Sequence, residues 1–401
     1  MKRIFFRFCL GACIPLFSVA CSRLEKLSGN EFLIEGNISG IEDGIIIELL
    51  RWDGDAGKTI ASDTVRNGLF RFKEETESDM ERLTIDPWGD GFPPMSLGVW
   101  VVPGTKIKIK GKGKLHPVWE VKSSILFQKE ENRYTNNSRD IIGESVRLSA
   151  ESDDLRTRAR AASSEDEALT YRKTADSLGT IRKSLRMKEL HADMSIMEKT
   201  NISPVWLNKM RGVTQMLMYG NLNLEDDGAL RKKAEALYGR MSEEDKSTPL
   251  GYLIAAQLFP PLVVGIGDDM ADADFFGIDG NTKHISDFLG KYLLLDFWSS
   301  GCGPCIMAFP EMKEVFETYS ENLTIISISL DTDTRWKESM TSHDMPWVNI
   351  RDPKAMGGLA ANYGVRGIPF YVIISPEGKV VDKWSGYGKG FIKRKVSENV
   401  K

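Results

Sequence analysis

Net charge, long apolar runs and cysteine are all scarce in this sequence, and each scarcity excludes a class of protein. The 401 residues carry 53 Lys and Arg against 57 Asp and Glu, so the formal net charge is −4. No basic excess is available to bind a phosphate backbone, which excludes a typical nucleic-acid-binding protein. The composition is 41% hydrophobic and 27% charged, which argues against both a multi-span membrane protein and a largely disordered chain.

The one marked apolar run near the start has the pattern of a signal peptide. A positively charged segment over residues 2–7 precedes Phe8–Ala20, and that run is too short for a usual membrane-spanning helix of about 20 residues. It ends in Ser18-Val19-Ala20-Cys21, which resembles a bacterial lipobox, where the cysteine is lipidated. Ordinary signal-peptidase cleavage and an uncleaved anchor are the alternatives. We predict a signal peptide over 1–20 and a lipidated tether over 21–27, anchored in a membrane through Cys21.

The cysteine count limits the chemistry of the mature chain. The five cysteines are Cys9, Cys13, Cys21, Cys302 and Cys305. If the signal peptide is removed and Cys21 is acylated, only the last two remain, which excludes a framework of several disulfides. A zinc site would need two further ligands beside this pair, and a covalent haem would need a histidine where Ile306 stands. We therefore predict neither a metal nor a cofactor.

Turn signals and hydrophobic periodicity divide the rest of the chain into three regions. Residues 28–118 hold short apolar runs between turn signals such as Asn67-Gly68, which predicts an all-β, sandwich-like domain. Residues 119–260 form a helical, highly charged middle region with no catalytic constellation. Residues 266–401 alternate strands with helices, and Tyr292–Trp298 is a strongly apolar strand. This alternation predicts an α/β domain with a central mixed sheet flanked by helices.

The motif that carries chemistry is Cys302-Gly303-Pro304-Cys305, which follows the apolar strand and opens a predicted helix. Unpaired N–H groups and the positive end of the dipole at a helix N-terminus favour a thiolate. Pro304 suits the first helical turn, because a missing N–H matters little there. The two-residue spacer puts Cys305 within reach of a mixed disulfide on Cys302. A structural disulfide across so short a loop would stabilise little, so the spacing favours a redox role.

The sequence around this motif resembles a known family. Leu295–Cys305 is similar to the thioredoxin active-site segment, Pro310 stands where thioredoxins carry a helix proline, and Tyr363–Phe370 resembles the family's cis-proline loop. The segment Ser327–Trp336 resembles the insertion of the membrane-tethered TlpA/ResA-like thiol–disulfide oxidoreductases. Residues 28–134 resemble the N-terminal region of Bacteroidetes lipoproteins that carry such a C-terminal domain. The resemblance implies a thioredoxin-like fold for residues 266–401 and thiol–disulfide exchange as its activity.

The resemblance also implies roles for the catalytic residues. Cys302 corresponds to the attacking thiolate, Cys305 to the resolving thiol, and the two to a redox-active disulfide. Asp296 matches the family's buried acid, which exchanges the proton of the second cysteine. The residues themselves agree, since a lone carboxylate in an apolar strand is costly without a partner or a raised pKa. A hydrogen-bonded strand-end aspartate without catalytic function is the alternative.

Five further residues are candidates for supporting the site or binding substrate: Trp298, Gly303, Pro304, Ile368 and Pro369. Trp298 supports the active-site loop, unless it is simply a core residue. Pro369, if cis, would pack against the disulfide, and the backbone of Ile368 would pair with a substrate strand. The sequence departs from the family at Gly301, where thioredoxins usually have tryptophan, and this change leaves the nucleophile without an aromatic neighbour.

We predict an enzyme of the cell envelope that faces the periplasm and reduces disulfides of exported proteins, with electrons from a membrane donor. The sequence does not say which membrane holds the lipid. A thioredoxin-fold peroxidase is one alternative, but Leu295 stands where peroxiredoxins have proline, although Ser299 fits their Thr/Ser position. An envelope ligand-binding lipoprotein with an accessory redox domain is the other alternative.

Overall fold

The computed structural model describes residues 26–53, 56–219 and 227–401. The predicted signal peptide and the predicted lipidation site, Cys21, lie outside these ranges. Along the described chain, a β-rich region is followed by a helical region and then by a region of alternating strands and helices. Within these ranges no helix is both long enough and apolar enough to span a bilayer.

The β-rich region consists of two four-stranded sheets that face each other. Its strands are β1 (Glu31–Ser39), β2 (Ile46–Asp53), β3 (Ala56–Thr64), β4 (Leu69–Glu75), β5 (Glu81–Trp88), β6 (Leu97–Val101), β7 (Lys106–Lys112) and β8 (Glu120–Lys122). The sheets have the orders β4-β1-β7-β8 and β3-β2-β5-β6. Inward side chains of both, such as Ile34 and Ile47, fill one core. The sandwich-like prediction is consistent with this arrangement.

Two details refine the sequence-based description of this region. The Asn67-Gly68 turn has positive φ at both residues, as a two-residue hairpin loop requires. It carries the chain from β3 in one sheet to β4 in the other. Strand β8 continues the sandwich past the predicted boundary at residue 118, because Trp119 and Val121 are buried in its core.

The middle region is built from six helices among the described residues. They are α1 (Leu126–Ala161), α2 (Glu165–Met197), α3 (Pro204–Tyr219), α4 (Asp227–Tyr238), α5 (Glu243–Lys246) and α6 (Pro249–Leu258). Helices α1 and α2 pack along each other as a hairpin, and the 36 residues of α1 make it about 54 Å long. Helix α3 begins at Pro204, where the Ser203 hydroxyl accepts a hydrogen bond from the Trp206 N–H at 3.0 Å.

The C-terminal region contains a mixed, seven-stranded sheet. Its elements are β9 (Phe275–Gly277), β10 (Thr282–Lys283), β11 (Tyr292–Trp298), α7 (Gly303–Tyr319), β12 (Leu323–Ser329), α8 (Asp333–Ser342), β13 (Val348–Arg351), α9 (Leu359–Asn362), β14 (Phe370–Ile374), β15 (Val380–Ser385) and α10 (Phe391–Asn399). The strand order is β10-β9-β13-β12-β11-β14-β15, with β11, β12 and β13 parallel. Buried apolar clusters cover both faces of this sheet. The predicted α/β fold with a central mixed sheet is confirmed.

Candidate active site

Helix α7 presents the cysteine pair at its first turn. Cys302 and Cys305 form a disulfide, and their Cα atoms lie 5.2 Å apart. Cys302 is the N-cap residue, and its sulfur accepts a hydrogen bond from the Cys305 N–H at 3.2 Å. Pro304 occupies the first turn, where its missing N–H leaves no hydrogen bond unmade. The helix N-terminus therefore faces the Cys302 sulfur, which favours a thiolate when the pair is reduced.

The two cysteines differ in exposure. Cys302 is half-buried, whereas Cys305 is only 1% exposed and lies within the core beneath α7. Gly301, Gly303 and Pro304 around them are exposed. A substrate that approaches from solvent can therefore reach the Cys302 sulfur, while Cys305 is accessible only to groups inside the domain.

Asp296 lies in the central strand β11 and is 1% exposed. Because side chains alternate along a strand, it is on the same face as Trp298, and Cys305 packs in the cluster on that face. The Ser327 hydroxyl donates to Asp296 Oδ2 at 2.8 Å and accepts from Trp347 Nε1 at 2.9 Å. Burial raises the pKa of Asp296 to about 7, and the hydrogen bond from Ser327 only partly opposes it. A carboxyl with this pKa can take up and release a proton near neutral pH.

Buried aromatic side chains pack around the strand that carries Asp296. Trp298 is fully buried, and its ring meets the Phe309 ring edge-on at a centroid distance of 5.2 Å. Tyr371 lies opposite Asp296 in the antiparallel β11–β14 register, and its ring stacks on Trp384 at 5.1 Å. Trp298 is thus a core residue, and its role in supporting the active-site loop stays a prediction.

Sequence reasoning missed Asp331, which holds the loop that leads to Cys302. Asp331 Oδ2 accepts a hydrogen bond from the Ser300 N–H at 2.7 Å, and Oδ1 accepts from the Ser300 hydroxyl at 3.2 Å. Burial raises the pKa of Asp331. One signal in the sequence could have indicated it: Asp331 follows β12 directly. Because β11 and β12 are parallel neighbours, their carboxyl ends lie at the same edge of the sheet.

The cis-proline loop lies beside the disulfide. The Ile368–Pro369 peptide bond is cis, and Pro369 is buried. Ile368 and Cys302 pack against the same apolar cluster. The Pro369 carbonyl accepts from the Gly386 N–H at 2.8 Å, whereas in the described chain the Ile368 N–H and carbonyl have no hydrogen-bond partner. A free backbone edge is therefore available next to the half-buried sulfur.

The C-terminal region is similar to known proteins in sequence. Residues 290–380 match the family model described as Thioredoxin-like. A thioredoxin from Chlorobaculum thiosulfatiphilum is 30% identical over 111 residues, which are 27% of this chain and 81% of that protein. The chain belongs to the thioredoxin family. We refer below to residues 266–401 as the thioredoxin domain.

The chain is also similar to thiol–disulfide oxidoreductases. The thiol–disulfide oxidoreductase ResA from Bacillus thuringiensis subsp. konkukian is 29% identical over 123 residues, which are 30% of this chain and 70% of ResA. A solved thiol:disulfide interchange protein from Bacteroides sp. is 26% identical and covers 30% of this chain and 81% of its own, with a TM-score of 0.29. The resemblance to TlpA/ResA-like proteins is confirmed, and the protein is a thiol–disulfide oxidoreductase of the thioredoxin fold. Each of these alignments covers less than a third of this chain.

Proposed function

We propose that this protein is anchored in the cell envelope and reduces disulfides of exported proteins through the Cys302/Cys305 pair. The observation that carries the proposal is the asymmetry of the two sulfurs. One lies half-exposed at a helix N-terminus beside a free backbone edge, and the other is buried on the face of β11 that carries Asp296. An attacking thiolate and a protected resolving thiol need these two environments.

In the first step, the Cys302 thiolate attacks one sulfur of the substrate disulfide. A mixed disulfide forms, the substrate S–S bond breaks, and the second substrate sulfur leaves as a thiolate that takes a proton from solvent. The Ile368 backbone binds the substrate as an added strand, with Pro369 packed beside the sulfurs. Gly303 and Pro304 leave the approach to Cys302 open, and Trp298 supports the loop from below.

In the second step, the Asp296 carboxylate accepts the proton of Cys305. The Cys305 thiolate then attacks the Cys302 sulfur and the mixed disulfide breaks. The substrate sulfur that was bonded to Cys302 leaves as a thiolate, which takes a proton from solvent. Two electrons have passed to the substrate, and the protein is left with the Cys302–Cys305 disulfide. A membrane electron donor returns it to the dithiol. The lipid on Cys21 would hold the chain beside that donor.

The direction of electron flow follows from the spacer. Gly303-Pro304 is the spacer of thioredoxin, whose potential is about −270 mV, against about −120 mV for the oxidant DsbA. The spacer contains no histidine to stabilise the reduced form. We expect a potential near that of thioredoxin when the purified chain is equilibrated with glutathione or dithiothreitol buffers. A value near that of DsbA would make the protein an oxidant.

Trapping in cells tests the substrate class. A Cys305→Ser variant should accumulate mixed disulfides between Cys302 and exported proteins, because the resolving thiol is gone. The matched Cys302→Ser variant should accumulate almost none, since Cys305 is buried. Equal trapping by both variants, or trapping of cytoplasmic proteins alone, would contradict the proposal.

A further inference from the structure

A groove of about 420 Å³ runs between the helical region and the thioredoxin domain. Its lining is mainly apolar, and both sides contribute: Met218, Leu253 and Ala256 from α3 and α6, and Val365, Phe370 and Trp384 from the thioredoxin domain. The family match begins only at residue 290. One wall of this groove is therefore built from a part of the chain that the family match does not include.

The groove borders the loop that carries the cis-proline. Val365 and Arg366 line it, and the same loop continues directly to Ile368 and Pro369. Trp384 lines the groove and also belongs to the buried cluster that contains Cys305. A polypeptide that pairs with the Ile368 backbone would therefore lie two residues along this loop from Arg366, which lines the groove.

The charge at the rim of the groove is positive. Arg366 is exposed, its guanidinium lies 5.6 Å from the centre of the Tyr219 ring, and it has no carboxylate partner within the described ranges. Lys383 also lines the groove, but its Nζ is engaged by the backbone carbonyls of Val264 at 2.6 Å and Tyr363 at 3.4 Å. No described lining residue is acidic. Arg366 is thus the cation available to a bound carboxylate.

The helical wall is held close to the thioredoxin domain. Gly357 lies against the backbone of α6, where a Cβ at this position would be 2.3 Å from the carbonyl carbon of Tyr252. Such close backbone packing requires glycine. The groove is therefore bounded by two walls whose separation is set by direct backbone contact.

We propose that this groove is a specificity site for the substrate polypeptide. An extended segment next to the substrate disulfide inserts one large apolar side chain between Met218 and Val365, and a nearby carboxylate pairs with Arg366. A groove of this volume holds a side chain such as leucine or phenylalanine. This inference rests on the proposed reduction of protein disulfides and assigns the choice among substrates to the helical region.

Synthetic peptides test the inference with the full chain. Each is an alanine-based peptide with one cysteine held as a mixed disulfide with glutathione, and a single leucine is moved along it one position at a time. Reduction by the dithiol form is followed under single-turnover conditions. We expect at least one leucine position to raise the rate constant about tenfold over the all-alanine peptide. Glutamate should likewise be preferred over glutamine near that position.

Matched variants test whether the preference for leucine arises in the groove. Met218→Glu and Tyr219→Ala, both at partly exposed positions, should bring the leucine-to-alanine rate ratio close to one. Met80→Glu is the control, because Met80 is 37% exposed against 36% for Met218 and lies in the β-rich region. Arg366→Gln should remove the preference for glutamate, whereas Arg394→Gln, also an exposed arginine over an aromatic ring, should keep it.

The ratio within one variant does not depend on how much of the protein is active. If the wild-type chain reduces all peptides at one rate, or if Met218→Glu and Tyr219→Ala keep the full ratio, the groove proposal is wrong while the reductase proposal stands. If the wild-type dithiol reduces none of the peptides, the proposed function fails as well.

Discussion

The replacement Asp296→Asn should change how the stability of the thioredoxin domain depends on pH. The Asp296 carboxyl is buried in β11, and burial raises its pKa from 3.8 to about 7. Between these two values the carboxyl is protonated in the folded state but ionised in the unfolded state. The folded state then binds more protons, so the contribution of this carboxyl to stability is greatest below pH 3.8 and falls as the pH rises toward 7.

The size of the effect follows from the same two values. Each pKa unit corresponds to about 1.4 kcal/mol. The folded carboxyl is half ionised at pH 7, so a rise from pH 5 to pH 7 costs the wild-type domain about 2 kcal/mol. The loss stops growing about one pH unit higher, where the carboxyl is almost fully ionised in both states. Asparagine carries no such proton, and its amide can still accept the hydrogen bond from Ser327. The free energy of unfolding of Asp296→Asn relative to wild type should therefore increase by about 3 kcal/mol between pH 5 and pH 8.

Hydrogen–deuterium exchange of peptides from β11 and β12 measures the local free energy of unfolding in the oxidised full-length chain. Exchange in increasing urea, corrected for the intrinsic effect of pH, gives the free energy at each pH. The exposed Glu321 supplies a control, and Glu321→Gln should show no comparable difference. If the difference between Asp296→Asn and wild type is the same at pH 5 and pH 8, the carboxyl does not have the raised pKa on which its proposed role depends.

Three further outcomes follow from the site and the N-terminus. In single-turnover kinetics, Asp296→Asn should slow release of the mixed disulfide by roughly 10²-fold or more while its formation changes little, and equal loss in both steps would indicate a structural role. Alkylation of the reduced protein at mildly acidic pH should label Cys302 first, and preferential labelling of Cys305 would reverse their assigned roles. Cys21→Ala should abolish incorporation of a labelled lipid in cells, whereas unchanged incorporation would rule out Cys21 as the anchor.

The sequence was most informative where local signals and tertiary structure agree. Tyr292–Trp298 has the bounds predicted for it, because a short run of apolar residues, interrupted only by Asp296, is typical of a buried strand or a short helix. The Cys-Gly-Pro-Cys motif after it predicted the start of a helix through Pro304. Short strands such as β9, β10 and β13 carry no comparable periodicity, since two to four residues are too few to show one.

Partnerships across the sheet could not be predicted in the same way. Ser327 reaches Asp296 because β11 and β12 are parallel in a register that aligns these residues, and one sequence gives no register between separate strands. The contact between Asp331 and Ser300 could not be predicted for the same reason, because it joins residues that follow two separate strands. The groove that includes Met218 depends on how α3 packs on a domain more than a hundred residues further along the chain, and no local pattern encodes that contact.

The contact between Gly357 and the backbone of α6 limits how this protein can be altered by exchange of modules. A thioredoxin domain taken from another protein would bring a side chain to this position unless it also has glycine there, and that side chain would force α6 away. A chimera should then lose the close fit along the helical wall even if both parts fold. The thioredoxin domain and the helical region must therefore change together, residue by residue, where their backbones touch.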